Sequence, residues 1–147
     1  MPPGRPGENQ PMDIDAARDY VRDNHRAVLA TFRRDGTPQL SPVTVGVDTD
    51  GRLVISSRET AYKVRNLHRD PRAGLCVFPD AFFGPWIQVR GRARIISLPD
   101  AMEPLVDYYR TLSGEHPDWE DYRAAMVRDQ RCLISIEIEH AGPDRSG

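Results

Sequence analysis

Hydrophobic and polar residues alternate with a period of two through most of the chain, most clearly between Pro85 and Ser97. One face of this run carries small and apolar side chains: Ile87, Val89, Gly91, Ala93 and Ile95. The opposite face carries Trp86, Gln88, Arg90, Arg92 and Arg94. Because successive side chains of a strand point to opposite faces, this alternation predicts a half-buried strand. The three arginines are expected on a solvated or interfacial face, opposite Glu137 and Glu139, rather than around a phosphate.

Shorter apolar runs, bounded by turn residues, predict five further strands: Arg26–Arg33, Thr37–Val47, Arg52–Ser56, Arg72–Phe78 and Arg131–Glu139. Asp35-Gly36 is typical of a hairpin turn between the first two of them. The second run places Val43, Val45 and Val47 on one face. Six strands are therefore predicted, most of them joined by short turns.

Apolar residues at helical spacing predict four helices: Asp13–Asn24, Ala61–Arg69, Ser97–Leu112 and a last one carrying Trp119, Tyr122 and Met126. Pro71 is expected to stop the second helix, and Asp118 to cap the last one. The strands do not alternate regularly with these helices, so a doubly wound parallel sheet is not expected. The pattern predicts a mainly β (α+β) fold, a six-stranded antiparallel barrel with peripheral helices.

The 147 residues fit one domain with one core. We expect a disordered, proline-rich N-terminal arm over residues 1–11, a folded domain over 12–141 and a flexible tail over 142–147. The formal net charge of -2 argues against nucleic-acid binding, which needs clustered excess cation. No apolar run approaches the roughly 20 residues of a membrane span, and the polar N-terminus is not typical of a signal peptide.

The two cysteines, Cys76 and Cys132, lie in apolar strand-like runs, and we expect both to be buried, reduced thiols. This fits a reducing cytoplasm. There is no CxxC motif, and the four histidines are scattered along the chain. A metal site is therefore not expected.

Lys63 is the most informative single residue, because it is the only lysine among 20 basic residues. It lies one turn into the predicted helix Ala61–Arg69, behind a turn rich in Ser and Thr. The first turn of a helix offers free N–H groups and the positive end of the helix dipole. Lys63 is therefore a candidate ligand for a phosphate or another anion, the alternative being a solvated surface lysine.

An ordered set of short motifs spans about Ala27 to about His140. Its members are Leu29-Ala30-Thr31-Phe32, Pro38-Gln39-Leu40-Ser41-Pro42-Val43, Lys63-Val64-Arg65-Asn66-Leu67, Arg69-Asp70-Pro71-Arg72, Val89-Arg90-Gly91-Arg92-Ala93 and Asp118-Trp119-Glu120-Asp121-Tyr122-Arg123. Together they resemble the pyridoxamine-5'-phosphate-oxidase-like split β-barrels. The resemblance is closest to the actinobacterial branch that uses the deazaflavin coenzyme F-420. It implies a homodimer with two cofactor clefts at the subunit interface.

The resemblance also implies site residues. The family's phosphate-binding lysine falls on Lys63, followed by Arg65 and Asn66 and preceded by the turn at Ser56 and Ser57. The ring-facing strand falls on Gln39, Ser41, Pro42 and Val43, and an aromatic side chain near the ring falls on Trp86. Some relatives carry an extra arginine two residues before the lysine. In this chain that position is Ala61. Arg58 is an alternative source of positive charge.

No Ser-His-Asp set, paired-carboxylate motif, P-loop or GxGxxG motif is present, and we assign no catalytic residue. This fits an enzyme whose cofactor carries the chemistry. The resemblance implies hydride transfer from reduced F-420 to an electron-poor small molecule, with the proton coming from Tyr62 or water. Two alternatives stay open: an FMN-dependent oxidase or reductase on the same fold, and a non-catalytic F-420 binding or storage protein.

Overall fold

The computed structural model describes residues 12–146, so the N-terminal arm predicted over residues 1–11 lies outside the described residues. The described chain contains four helices, α1 (Ile14–Asp23), α2 (Tyr62–Arg69), α3 (Met102–Ser113) and α4 (Trp119–Arg128). It also contains seven strands, β1 (Arg26–Phe32), β2 (Pro38–Thr44), β3 (Gly46–Val47), β4 (Leu53–Arg58), β5 (Arg72–Phe78), β6 (Pro85–Ile96) and β7 (Arg131–Ser146). The mainly β, α+β class is confirmed.

All seven strands form one sheet in the order β2-β1-β5-β6-β7-β4-β3, and each neighbouring pair is antiparallel. The edge strands β2 and β3 are separated by Val45 alone. In a flat sheet these edges would lie roughly 29 Å apart, because neighbouring strands are about 4.8 Å apart. The sheet therefore curls into a half-barrel that stays open between β2 and β3.

The prediction of six strands was wrong at this opening. The run Thr37–Val47 was expected as one strand, but β2 pairs with β1 and β3 pairs with β4, at opposite edges of the sheet. The chain changes edge at Val45, which is fully buried and donates its N–H to the carbonyl of His25. The Val43, Val45, Val47 alternation runs straight through this corner, so the pattern gave no sign of it.

The barrel interior is filled by alternate residues of the strands, including Leu29, Leu53, Ile55, Leu75, Ile87, Val89, Ile134 and Ile136. The helix α2 packs against β1 and β6, and its residues Val64 and Leu67 are buried in this core. A second core lies outside the barrel, where α3 and α4 cover Val54 of β4 and Leu133 of β7. The two cores thus lie on opposite faces of β4 and β7.

Strand β6 has the predicted faces, with Ile87 and Val89 buried and all three of its arginines exposed. Arg92 lies opposite Glu137 in the register, as expected. The register shifts between Arg90 and Gly91, where a side chain would overlap with the carbonyl oxygen of Glu137. A glycine is therefore needed for the close approach of β6 and β7.

One of the two thiols was predicted wrongly. Cys132 is buried, but Cys76 is exposed on the outer face of β5, between Val28 and Gln88 on the neighbouring strands. Leu75 and Val77 point inward, so the parity of the strand places Cys76 outside. The sequence neighbours of Cys76 are apolar on both sides, so the run looked uniformly buried and its outward-facing position was not recognised.

Two element ends differ from the sequence prediction. Helix α3 begins at Met102 rather than at Ser97, because residues 97–101 form turns, in which the N–H of Ala101 donates to the carbonyl of Ser97. Strand β7 continues beyond Glu139 to Ser146 and pairs with the start of β6, so it includes residues 142–146. The predicted cap of α4 is confirmed, since the Asp118 carboxylate accepts from the N–H of Asp121 at 3.1 Å. Among residues 12–146, no helix is long and apolar enough to cross a bilayer.

Candidate functional site

A cleft of about 580 Å³ opens beside Lys63, and we call it the Lys63 cleft. Its lining comes from β2, β4, α2, α3, α4 and the start of β7: Pro42, Val43, Thr44, Ser56, Lys63, Tyr108, Tyr109, Tyr122, Met126 and Arg131. Four of the predicted site residues therefore line one cavity. These four are Lys63, Ser56, Pro42 and Val43.

Local structure explains how Lys63 and Ser56 reach the cleft. In β4, Leu53 and Ile55 point into the barrel, so Ser56 lies on the outer face of the strand. Lys63 occupies the first turn of α2, whose cap residue Ala61 forms no side-chain capping hydrogen bond. Lys63 is half-buried and has no ion-pair partner among the described residues. The positive side chain of Lys63 thus reaches the cleft from the first turn of a helix that has no side-chain cap.

Two tyrosines form a fixed wall of the cleft. The Tyr108 hydroxyl donates to the carbonyl of Thr44 at 2.8 Å, and the Tyr122 hydroxyl donates to the carbonyl of Leu105 at 2.9 Å. Burial raises the pKa of both phenols, that of Tyr122 to about 12, because the phenolate would lose its hydration. Both hydroxyls therefore stay neutral near pH 7 with their protons engaged by backbone carbonyls.

Arg131 is a lining residue that the sequence did not reveal. It is the first residue of β7 and lies opposite Arg58 in the β4–β7 register. Its Nε atom is buried and has no hydrogen-bond partner, and no acidic side chain of residues 12–142 forms an ion pair with it. In the sequence it is one arginine among 19, so nothing in the pattern distinguishes it.

Three other predicted residues meet in a polar network under α2. The Asn66 Nδ2 atom donates to Thr31 Oγ1 at 3.1 Å and lies 3.5 Å from Gln39 Oε1. Gln39 in turn donates through Nε2 to Ser41 Oγ at 3.0 Å. Thr31 is fully buried and links the two, although the sequence interpretation omitted it. This network connects β1, β2 and α2. Its residues support β2, which lines the Lys63 cleft, but they do not line the cleft themselves.

Arg65 faces a different opening. Its guanidinium carbon lies 5.8 Å from the centre of the Tyr62 ring. Both residues border a shallow depression of about 810 Å³. We call it the basic depression, and it is lined by Arg33, Arg34, Asp35, Tyr62, Arg65, Asn66, His68 and Arg69. Lys63 and Arg65 therefore point into separate openings, on different sides of the short helix.

The last two predicted residues do not line the Lys63 cleft. Ser57 is 3% exposed, points toward the barrel interior, and has no partner for its buried Oγ atom. Trp86 is half-buried near the start of β6, whereas α2 lies near the other end, where Ala93 bonds to Pro71. Within the part of the chain that the structure describes, no group of three or more His, Cys, Asp or Glu side chains is placed to hold a metal ion.

The fold agrees with what comparison with known proteins shows. The model of the pyridoxamine 5'-phosphate oxidase family matches residues 14–142, nearly all of the described chain. The protein belongs to this family. Over 125 residues it is 26% identical to an F-420H2-dependent biliverdin reductase of Mycobacterium tuberculosis, covering 85% of this chain and 83% of that protein.

Solved structures share the fold. A conserved hypothetical protein of Mycobacterium tuberculosis, Rv2991, superimposes with a TM-score of 0.72 at 23% identity, covering 88% of this chain and 82% of that one. An F-420 reductase superimposes with a TM-score of 0.65 at 22% identity, covering 86% of this chain and 95% of that one. At these identities the likeness shows the fold alone.

Proposed function

We propose that this protein is an F-420-dependent reductase that transfers a hydride to an electron-poor small molecule. The observation that carries the proposal is the composition of the Lys63 cleft, which combines an unpaired cation at a helix start with an apolar strand edge and a tyrosine wall. The similarity to the mycobacterial F-420H2-dependent reductase supports this choice of cofactor. Membership of the pyridoxamine 5'-phosphate oxidase family supports an oxidoreductase more generally.

The residues of the cleft fit such a cofactor. The volume of about 580 Å³ is within the usual range of small-molecule sites, roughly 300–1,000 Å³. Lys63 would hold the anionic end, with Ser56 as a second lining residue that offers a hydroxyl donor. Pro42 and Val43 of β2 would lie against the planar ring. A cofactor with a planar ring and a phosphate-bearing side chain needs a site with an apolar end for the ring and a charged end for the phosphate.

When bound, reduced deazaflavin supplies a hydride for a C=C or C=N bond. The chain's own task is then to position the ring and exclude water from it. Tyr108 and Tyr122 suit this task because their hydroxyls are engaged and their rings are fixed. Tyr62, the side chain that the sequence offered as a proton donor, is 73% exposed and borders the basic depression instead. Under this proposal, the proton comes from solvent.

Parallel titration of the purified protein with F-420 and FMN tests the proposal, followed by an acceptor screen with reduced F-420. The screen would include biliverdin, a conjugated enone and an imine, with oxidation of F-420 followed by absorbance. Tight binding of F-420 and turnover with an acceptor are expected. Preference for FMN would favour the flavin alternative, which the family membership also supports. Binding of F-420 without turnover would instead indicate a storage protein.

We further propose that the protein works as a homodimer in the cytoplasm. The outer face of strands β2, β1, β5 and β6 carries Leu40, which is 63% exposed, and the exposed Cys76. Phe82 and Phe83, 68% and 76% exposed, extend the apolar surface from the loop before β6. A monomer would leave this surface in water, whereas a second copy would bury it. Light scattering should give about twice 16.6 kDa. A monomer at micromolar concentration would contradict the proposal.

A further inference from the structure

Arg131 is unusual among the described residues because it buries part of a guanidinium without a partner. Only two side-chain polar atoms of the described chain are buried and unpaired, Ser57 Oγ and Arg131 Nε. Arg131 as a whole is half-buried and lines the Lys63 cleft, whereas its Nε atom is withdrawn from water without a partner among the described residues. A ligand that enters the cleft can supply the hydrogen-bond partner that Arg131 lacks among the described residues.

The surroundings of Arg131 define the charge of that partner. Arg131 and Lys63 line the same cleft, and no acidic side chain is among its lining residues. Glu59 borders Arg131 only in a neighbouring depression of about 320 Å³, and its carboxylate accepts from the Ser97 hydroxyl at 2.6 Å. The hydroxyls of Tyr108 and Tyr122 donate to backbone carbonyls, so they do not neutralise either cation. Two cations on different elements, with no counter-charge in the cleft, attract an anion strongly.

We propose that Arg131 and Lys63 together form an anion site in the Lys63 cleft that takes a phosphate group of the bound cofactor. The identity of the ligand rests on the function proposed above, whereas the anion site rests on geometry alone. Arg131 would supply the second positive charge that is absent at Ala61. A guanidinium suits this task because its planar fork can donate two hydrogen bonds to one phosphate while the ammonium of Lys63 approaches from another side.

Arg58, the other candidate for the second charge, is placed less well. It faces Arg131 across the β4–β7 ladder, but it is exposed and does not line the cleft. Its guanidinium can extend into water at little cost, so its charge is screened. The proposal therefore assigns the anion to Arg131 and not to Arg58. Substituting each arginine in turn and comparing the effects on anion binding tests this assignment directly.

The test uses Arg131→Gln, Arg131→Lys and Arg58→Gln, with Arg128→Gln as a control at an exposed position on α4. Two measurements are made on each variant: the rise in melting temperature with inorganic phosphate against chloride at matched ionic strength, and the affinity for F-420 by calorimetry. Arg131→Gln should lose the phosphate-induced rise and bind F-420 roughly 10- to 100-fold more weakly. Arg131→Lys should recover part of both, and the other two variants should match the wild type.

The melting temperature without ligand separates binding from a structural role. Because Arg131 Nε is unpaired, its removal should leave the ligand-free protein as stable as the wild type or more stable. A lower melting temperature for ligand-free Arg131→Gln, or unchanged affinity for phosphate, would overturn the proposal, as would a wild type that gains nothing from phosphate. If phosphate stabilises the wild type through Arg131 but F-420 does not bind, the anion site stands and the proposed function fails.

Discussion

Replacing Lys63 by alanine should weaken cofactor binding and leave the fold intact. The side chain is half-buried at the first turn of α2 and has no ion-pair partner among residues 12–142. A charge-assisted hydrogen bond to a phosphate oxygen is worth about 1.5–3 kcal/mol. Its loss corresponds to a decrease in affinity of roughly 10- to 150-fold. Lys63→Arg should recover only part of this, because the broader guanidinium does not fit a site shaped for an ammonium.

The same substitution should make the ligand-free protein slightly more stable. A positive side chain at the start of a helix opposes the helix dipole by about 0.3–1 kcal/mol, and no acidic partner offsets this at Lys63. Alanine also has the higher helix propensity. The gain corresponds to a rise in melting temperature of at most about 4 °C for a chain of this length. Weaker binding combined with higher stability is the expected signature of a residue retained for a ligand.

Calorimetry with F-420 and thermal melts of the ligand-free protein together measure both effects. Arg128→Ala is a suitable control, because this arginine is exposed on α4 and lies outside both the Lys63 cleft and the proposed dimer face. The reasoning would be refuted if Lys63→Ala bound F-420 as tightly as the wild type. A fall in the melting temperature of ligand-free Lys63→Ala would show instead that the lysine stabilises the fold.

Three further predictions concern the fold and the assembly. Gly91→Ala should lower the free energy of unfolding, measured by chemical denaturation, by on the order of 3 kcal/mol, because the new methyl group overlaps with the Glu137 carbonyl. A variant as stable as the wild type would contradict the close approach of β6 and β7. Asn66→Ala should cost about 1–3 kcal/mol in the same assay, because it removes the donor to Thr31 from a buried network, and a neutral effect would mean that water replaces the amide. Cys76 is exposed in the single chain and lies on the proposed dimer face. Ellman's reagent should therefore label this thiol slowly in the dimer and quickly after dilution to the monomer. Equally fast labelling at all protein concentrations would exclude this face from the interface.

The candidate site shows how far local sequence carries a functional interpretation. Lys63 was singled out by its rarity and its place in a helix start, and the structure places it in a cleft with Ser56, Pro42 and Val43. Arg131, by contrast, is about 70 positions away in the sequence. It reaches the cleft only because β7 pairs with β4, and such a pairing between distant strands leaves no local trace.

Periodicity by itself determined the class of the fold, most of its strands and all four helices. The reason is that burial acts on each residue locally: a half-buried strand needs period two, as in Ile87 and Val89, and a helix needs period 3.6. Parity likewise placed the three arginines of β6 on the outer face. The same parity argument, applied to β5, would have placed Cys76 outside.

Only the tertiary structure decided which strands became neighbours, and hence what each polar side chain meets. The break at Val45 arises because the chain has to cross from one edge of the half-barrel to the other, although the alternation of valines continues. The link between Gln39 and Asn66 through Thr31 arises because α2 packs over β1. These contacts depend on closure of the sheet, in which every strand pairing contributes, so no short segment of the sequence specifies them.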